Sequence, residues 1–312
     1  MKKLLKTIRD IILLVFRNLF LRLFLHHTPI NKKYDVSICS IFKNESVFLQ
    51  EWIEYHLLIG IEHFYLYDNE SEDKPENVLQ PYIDRGIVSL KPWAGKHAQM
   101  SAYKDFYDSY RDETQWVSFL DIDEFICPNN KTNIRDWLKT FRKYPAILIY
   151  WKMFGTSGQM RHDATKLVIE QYHVAWSGLY KVGKCIINTK YDISKFDAFT
   201  HHCPHIKYSI MGLRFNIRPI NQFKLFITPD NHLSWLYNED NCSIQINHYW
   251  SKAWDIYEKK MKMTDVYYKD NPKKNISYFY MHEERNDSVD YKIYKYLIRL
   301  KQRIKMLENN KS

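Results

Sequence analysis

The chain has 312 residues, with 46 lysines and arginines against 36 aspartates and glutamates, 45% hydrophobic and 16% aromatic residues, and only 8 glycines, 10 prolines and 5 cysteines. That length and apolar content can fill one large or two modest cores, which excludes a disordered chain, a collagen and a small disulfide scaffold. The charge excess sits at the ends, +7 over residues 1–33 and +6 over residues 291–312, while residues 34–290 carry −3, so nucleic acid is not an expected partner of the body.

Leu4, Leu5, Ile8, Ile11, Ile12, Val15, Phe16, Leu19, Phe20, Leu23 and Phe24 recur at steps of three and four, which predicts a helix. Arg17, Asn18 and Arg22 interrupt it, leaving no uncharged run of about 18 residues to span a bilayer and no signal-peptide core. Residues 1–33 therefore read as a basic amphipathic helix lying on an anionic membrane surface. From Asp35 onward, strands and helices alternate: strand 35–42, a helix through Phe48 and His56 that stops at Gly60, strand 63–67, helix 78–85, strand 87–91, helix 98–111 and strand 116–120. This spacing predicts an α/β fold with a parallel, doubly wound sheet.

Beyond residue 130 a helix near 133–141 precedes strand 146–151. Short strands are expected at 166–172, 184–188 and 243–248, and Ser251 is expected to cap a helix over 252–263. Residues 190–242 show no clear pattern. Tyr294, Leu297, Ile298, Leu300, Ile304 and Leu307, set among Lys295, Arg299, Lys301, Arg303 and Lys305, predict a second basic amphipathic helix, bound to lipid or packed on the body. The expected division is 1–33, 34–265 and a C-terminal extension over 266–312.

In doubly wound sheets the ligand sits beyond the carboxyl ends of the strands. Three polar clusters fall there: Lys43, Asn44 and Glu45; Asp68, Asn69 and Glu70; and Asp121, Asp123 and Glu124. Two aspartates one residue apart at a strand end can share a hard divalent cation that also takes phosphate oxygens. Val117, Phe119 and Leu120 before the pair, and Phe125 and Ile126 after it, place it at a buried terminus. His201, His202 and His205 resemble a zinc set by composition but not by spacing. Trp151, Trp176 and Trp250 suit either sugar stacking or core packing. The cysteines are odd in number and form no CxxC pair, as in a chain with reduced thiols in the cytosol.

The segments IFKNE (41–45), EWIEYHLLIGIEHFYLYDNES (51–71), LQPYIDRGIV (79–88), WVSFLDIDEF (116–125), FGTSG (154–158) and INHYW (246–250) resemble glycosyltransferase family 92 and its bacterial family-2-like relatives. The resemblance covers roughly 35–260 and implies a GT-A-type, Rossmann-like, mostly parallel sheet flanked by helices. It implies a nucleotide-sugar donor, a UDP-sugar in the first instance, with Asn44, Glu45, Asp68 and Asn69 at uracil and ribose and Gln99 and Tyr103 facing the same nucleotide. Asp121 and Asp123 would hold Mn²⁺ or Mg²⁺ against the diphosphate, with His248 completing the metal site. Asp163 and Glu170 are both candidates for the general base.

The activity so implied is a metal-dependent, inverting transfer of a hexose, for example galactose from UDP-galactose, to a glycan or glycolipid. With basic amphipathic ends and no signal peptide, the expected setting is bacterial surface polysaccharide or lipopolysaccharide synthesis, peripheral on the cytoplasmic face of the inner membrane. A metal-dependent nucleotidyltransferase or phosphodiesterase is the rival enzyme, disfavoured by 8 glycines and no GxGxxG loop. A non-catalytic membrane scaffold is the rival from another class.

Overall fold

The computed structural model describes residues 31–197, 200–210, 212–225, 227, 242–262 and 275–309, with single positions between 5 and 24. The strands are β1 (Tyr34–Phe42), β2 (His63–Asp68), β3 (Val88–Pro92), β4 (Thr114–Phe119), β5 (Glu124–Pro128), β6 (Ala146–Met153), β7 (Val174–Trp176), β8 (Tyr180–Asn188), β9 (Asp192–Ile193), β10 (Ile206–Ile210), β11 (Leu213–Ile217), β12 (Ile220–Asn221), β13 (Ile244–His248) and β14 (Asn286–Val289). The helices are α1 (Ser46–Leu58), α2 (Glu76–Asp84), α3 (Gln99–Tyr110), α4 (Ile134–Leu138), α5 (Val168–Gln171), α6 (Trp254–Lys262), α7 (Ile276–Glu283) and α8 (Leu297–Asn309).

The main sheet runs β3-β2-β1-β4-β8-β6-β13-β5, with β12 pairing β6. Its first four strands are parallel, as the strand–helix alternation predicts. In their register Phe42 lies opposite Asp68 and Asp68 opposite Pro92, so the loops after β1, β2 and β3 share one rim with the loop after β4. In the other half β8 runs antiparallel to β4 and β6, and β5 antiparallel to β13, while β6 and β13 are parallel. β8 and β6 thus place a lysine and a tryptophan, and β13 a histidine, beside the carboxylates of the β4–β5 loop.

Helix α1 packs its apolar face, Phe48, Leu49, Trp52 and Ile53, into the core. It also pins β5 by hydrogen bonds: Trp52 Nε1 donates to Glu124 O at 2.9 Å and Tyr55 OH to Ile126 O at 2.8 Å. Burial lowers His56 to about 3, so its ring is neutral. Nδ1 then donates to Trp52 O, and Nε2 accepts from Ile126 N–H. The strand that leaves the aspartate pair is therefore fixed from behind.

Two expectations change. Residues 166–172 contain helix α5 rather than a strand, because the buried Glu51 carboxylate accepts Val168 N–H at 2.7 Å and Ile169 N–H at 3.1 Å and so stabilises a first helical turn. Ser251 does not cap the following helix: its hydroxyl faces Glu283, Lys252 takes a positive φ of 51°, and α6 starts at Trp254, whose N–H donates to Gln159 O.

The C-terminal helix packs on the body, one of the two alternatives that its sequence offers. Leu300 is fully buried, Arg303 pairs with Glu54 at 2.7 Å, Lys301 with Glu170 at 2.6 Å, and the Lys295 ammonium meets Pro128 O and Asn129 O. One face of the helix is thus packed against the body, with Ile298 and Met306 left exposed on it. Strand β14 pairs with β7, so the chain beyond residue 265 completes the same body. Of the N-terminal stretch, Leu5, Ile8, Ile11, Ile12, Val15, Phe16, Leu19, Leu23 and Phe24 are helical and exposed; the rest of that expected helix lies outside the described residues. Among the described residues no helix is long and apolar enough to cross a membrane.

Candidate active site

The β1 and β2 loops are tied together by their own polar side chains. Asn44 takes φ 55°, a conformation asparagine tolerates, and its Oδ1 accepts Glu72 N–H at 2.7 Å while its N–H donates to Ser71 Oγ. Asp68 Oδ1 accepts Ser71 N–H at 3.0 Å, and Asn69 donates to the Trp93 and Gly95 carbonyls. Asp73 of the second loop accepts Ser46 N–H at the start of α1, leaving Glu45 at the cap position with its carboxylate free of a capping bond. Glu45 is half-buried near Lys252, Asp123 and Lys260; desolvation raises it to about 7.

Between those loops and β8 lies the aspartate pair. Asp121 Oδ2 accepts from the buried Lys184 at 2.8 Å, and Asp121 Oδ1 from Gln99 Nε2 at 3.4 Å. Gln99 also donates to Tyr103 OH, so α3 reaches the pair through these two residues. Glu124 Oε2 accepts Asp121 N–H at 3.0 Å and stands 3.6 Å from Lys184. Burial pushes Glu124 well above the usual carboxylate range despite Lys184. On Lys184 burial opposes the charge, but Asp121 and Glu124 outweigh it and raise its pKa.

Asp123 faces the other way. Its Oδ2 accepts from Lys260 at 2.9 Å, and its Oδ1 is buried without a hydrogen bond, 3.4 Å from His248 Nε2. Burial opposes ionisation of Asp123, yet Lys260 and His248 hold it well below its ordinary pKa. Burial lowers His248, favouring the neutral imidazole that a metal requires. Two donor atoms on one cation stand about 3 Å apart, so the orphaned Asp123 Oδ1 and His248 Nε2 fit a divalent ion. Asp121 does not join them: Lys184 and Gln99 hold it aside, and among the described residues no set of three such ligands is preassembled.

The general-base candidates are not brought to this cluster. Asp163 accepts from Thr165 N–H and Oγ and lies 3.5 Å from Lys166; Glu170 pairs with Lys301 of α8. Nor do the histidines of 201–205 form a metal set: His201 and His202 are in ring contact, and His202 Nδ1 meets Gly183 O. A line of rings leads outward instead. Trp151 lies 4.8 Å from His248 and stacks at 6.2 Å on Tyr180, which meets Trp176 at 5.7 Å. Trp176 and Tyr180 line a pocket of about 410 Å³ with Glu284, Arg285 and Asp287.

Sequence reasoning missed Lys184, Lys252 and Lys260. Lys184, set directly before the apolar run Cys185, Ile186 and Ile187, is a readable signal for a buried ion pair. Lys252 and Lys260 resemble the solvated cations of an ordinary helix.

The glycosyltransferase family 92 model matches residues 32–296, and the chain belongs to that family. Its sheet and rim loops form the GT-A-type architecture that the motifs imply. A family 92 protein of Ricinus communis is 26% identical over 73% of this chain and 38% of its own length. A galactan beta-1,4-galactosyltransferase of Arabidopsis thaliana is 31% identical over 39% of this chain and 27% of its own. The chain thus matches well under half the length of these relatives. Among solved structures it is similar to S. aureus TarS 1-349, at 13% identity and TM-score 0.32, over 50% of this chain and 47% of that one.

Proposed function

We propose that this chain transfers a hexose, galactose from UDP-galactose in the first instance, to a glycan or glycolipid with inversion at the anomeric carbon. The observation that carries this reading is the shared rim. Asp68 and Asn69 end one strand, Asp121 and Asp123 end another two places along the sheet, and His248 faces Asp123. A nucleoside at the first pair would have its diphosphate directed at the second. The galactosyltransferase among the relatives supports galactose.

A Mn²⁺ or Mg²⁺ ion held by Asp123 and His248 would supply positive charge where the leaving diphosphate gathers negative charge. The chain's own residues do the remaining work: Asp68 orients the nucleoside, Lys184 and Glu124 fix the Asp121 loop, and the rings of Trp151, Tyr180 and Trp176 offer faces to an acceptor sugar. The exposed apolar N-terminal positions, with basic residues between them, support peripheral attachment to the cytoplasmic face of a membrane during surface glycan assembly.

Donor screening tests the reading: released UDP is counted from UDP-galactose, UDP-glucose and UDP-N-acetylglucosamine, with Mn²⁺ and with chelator. Release from one UDP-sugar, stimulated by Mn²⁺, is expected; absence of both UDP binding and release would reject it. For the membrane step, Val15→Asp with Leu19→Asp should free the full chain from anionic vesicles without changing donor turnover. Unchanged sedimentation would reject that attachment.

A further inference from the structure

Lys252 is 3% exposed, yet among the described residues its ammonium makes no hydrogen bond. It sits 4.3 Å above the Phe48 ring, within electrostatic range of Asp123 and Glu45. A buried ammonium without acceptors is costly, and a ring face returns only part of its lost hydration. Its backbone adds strain, with φ 51° at a residue that has a Cβ. The strain is imposed from both sides: His248 ends β13 four residues earlier, and Trp254 and Asp255 N–H groups are anchored to Gln159 and Met160 carbonyls. Among the described residues, the three N–H donors of Lys252 thus have no acceptor beside the aspartate pair.

Lys260 adds to the same place. Its ammonium donates to Asp123 Oδ2 and to Trp250 O at 3.2 Å, which leaves one N–H for another acceptor. With Lys184, three ammoniums stand among Asp121, Asp123, Glu124 and Glu45, and burial holds Glu45 and Glu124 above the ordinary carboxylate range. Ammonium N–H groups left without an acceptor there suit an anion with several oxygens, and a diphosphate has that chemistry.

We propose that Lys252, assisted by Lys260, receives the diphosphate of the nucleotide donor. This rests on the nucleotide-sugar reading of the cleft. The Lys252 ammonium replaces its missing acceptors with non-bridging phosphate oxygens, and its placement is independent of any bound cation.

The test titrates UDP, uridine and inorganic pyrophosphate into the full chain by calorimetry in chelator, for wild type, Lys252→Met and Lys252→Arg. Lys252→Met should weaken UDP and pyrophosphate about tenfold or more, leave uridine unchanged and keep or raise the melting temperature, since it removes a buried charge that has no hydrogen-bonded partner among the described residues. Lys252→Arg should recover part of the UDP affinity. UDP binding that survives Lys252→Met would overturn the lysine's role and leave the nucleotide reading standing. Pyrophosphate binding that depends on Lys252, with no added affinity from the nucleoside, would sustain the lysine and reject the nucleotide reading. A lower melting temperature in Lys252→Met with unchanged ligand affinities would make the ammonium a structural group and overturn the proposal, and wild-type protein that binds none of the probes would overturn both.

Discussion

Lys184 on β8 places its ammonium 2.8 Å from Asp121 Oδ2 in the β4–β5 loop, with Lys184 fully buried and Glu124 Oε2 only 3.6 Å away. One cation thus stands between the two carboxyl groups, Asp121 and Glu124, that bracket Ile122 and Asp123. A buried pair of this kind adds little net stability over an apolar substitute, but breaking it from one side leaves uncompensated charge.

Lys184→Met should therefore cost about 3–5 kcal/mol, measured by urea unfolding at pH 7.5. Without the ammonium, Glu124 rises still further above its unfolded pKa. The part of the penalty carried by Glu124 grows only as pH rises through its raised folded pKa in wild type, because below that both proteins keep the buried carboxyl protonated. A loss below about 1 kcal/mol at pH 7.5 would show that Lys184 does not compensate these carboxylates.

The neighbouring residue makes a purely steric prediction. A Cβ on Gly183 would lie 1.8 Å from the Ile149 carbonyl oxygen across the β6–β8 pair, where only backbone could yield. Gly183→Ala should destabilise the chain by about 3 kcal/mol or more and lower the yield of folded protein. By contrast Gly158→Ala meets no atoms and carries only the strain of its φ of 76°, a cost of about 1 kcal/mol. Comparing the two melting temperatures checks both.

The parallel half of the sheet was legible because β1, β2, β3 and β4 are apolar runs of strand length, each separated by a helical period. The aspartate pair was legible because apolar residues flank it on both sides. The antiparallel half was not: β8 pairs with β4 and β6 across separations of about seventy and forty residues, and local periodicity carries no signal of partner choice. Helix α5 was misread as a strand because the carboxylate that nucleates it, on Glu51, lies 117 residues earlier in the chain. The base candidates Asp163 and Glu170 follow FGTSG in the sequence, where donor sugar and acceptor are expected to meet. What draws them elsewhere, Thr165 for one and Lys301 for the other, is a matter of tertiary contact.

Glu51 yields a pH prediction. Burial raises it to about 7 even though two backbone N–H groups favour the anion. A carboxyl raised above its unfolded value of about 4.5 contributes stability that is full below that value and is lost as pH rises through 7. Glu51→Gln mimics the protonated form and still offers an oxygen to Val168 and Ile169 N–H. The variant should match wild type near pH 4.5 and exceed it by about 1–3 kcal/mol at pH 8, in urea titrations across that range. A variant less stable at every pH would mean that the anion is needed at α5 and that burial does not dominate.

His248 decides between ligand and packing. If it shares a cation with Asp123, His248→Ala should raise the Mn²⁺ concentration for half-maximal UDP-sugar turnover by about tenfold or more, and weaken Mn²⁺ binding followed by electron paramagnetic resonance in the presence of UDP. Excess Mn²⁺ should partly restore turnover, because Asp123 and the donor phosphates remain. The imidazole also lies 4.8 Å from the Trp151 ring, so its removal opens a cavity and lowers the melting temperature whichever role is correct. Stability therefore does not discriminate, and metal affinity does. Buried His248 is held below its ordinary pKa, so in wild type the coordinating form persists as pH falls past 6.5. Mn²⁺ affinity should stay flat through pH 6.5 and decline only at lower pH. An affinity that is unchanged in His248→Ala would place the histidine in the packing of the cleft, with Asp123 and the donor holding the ion without it.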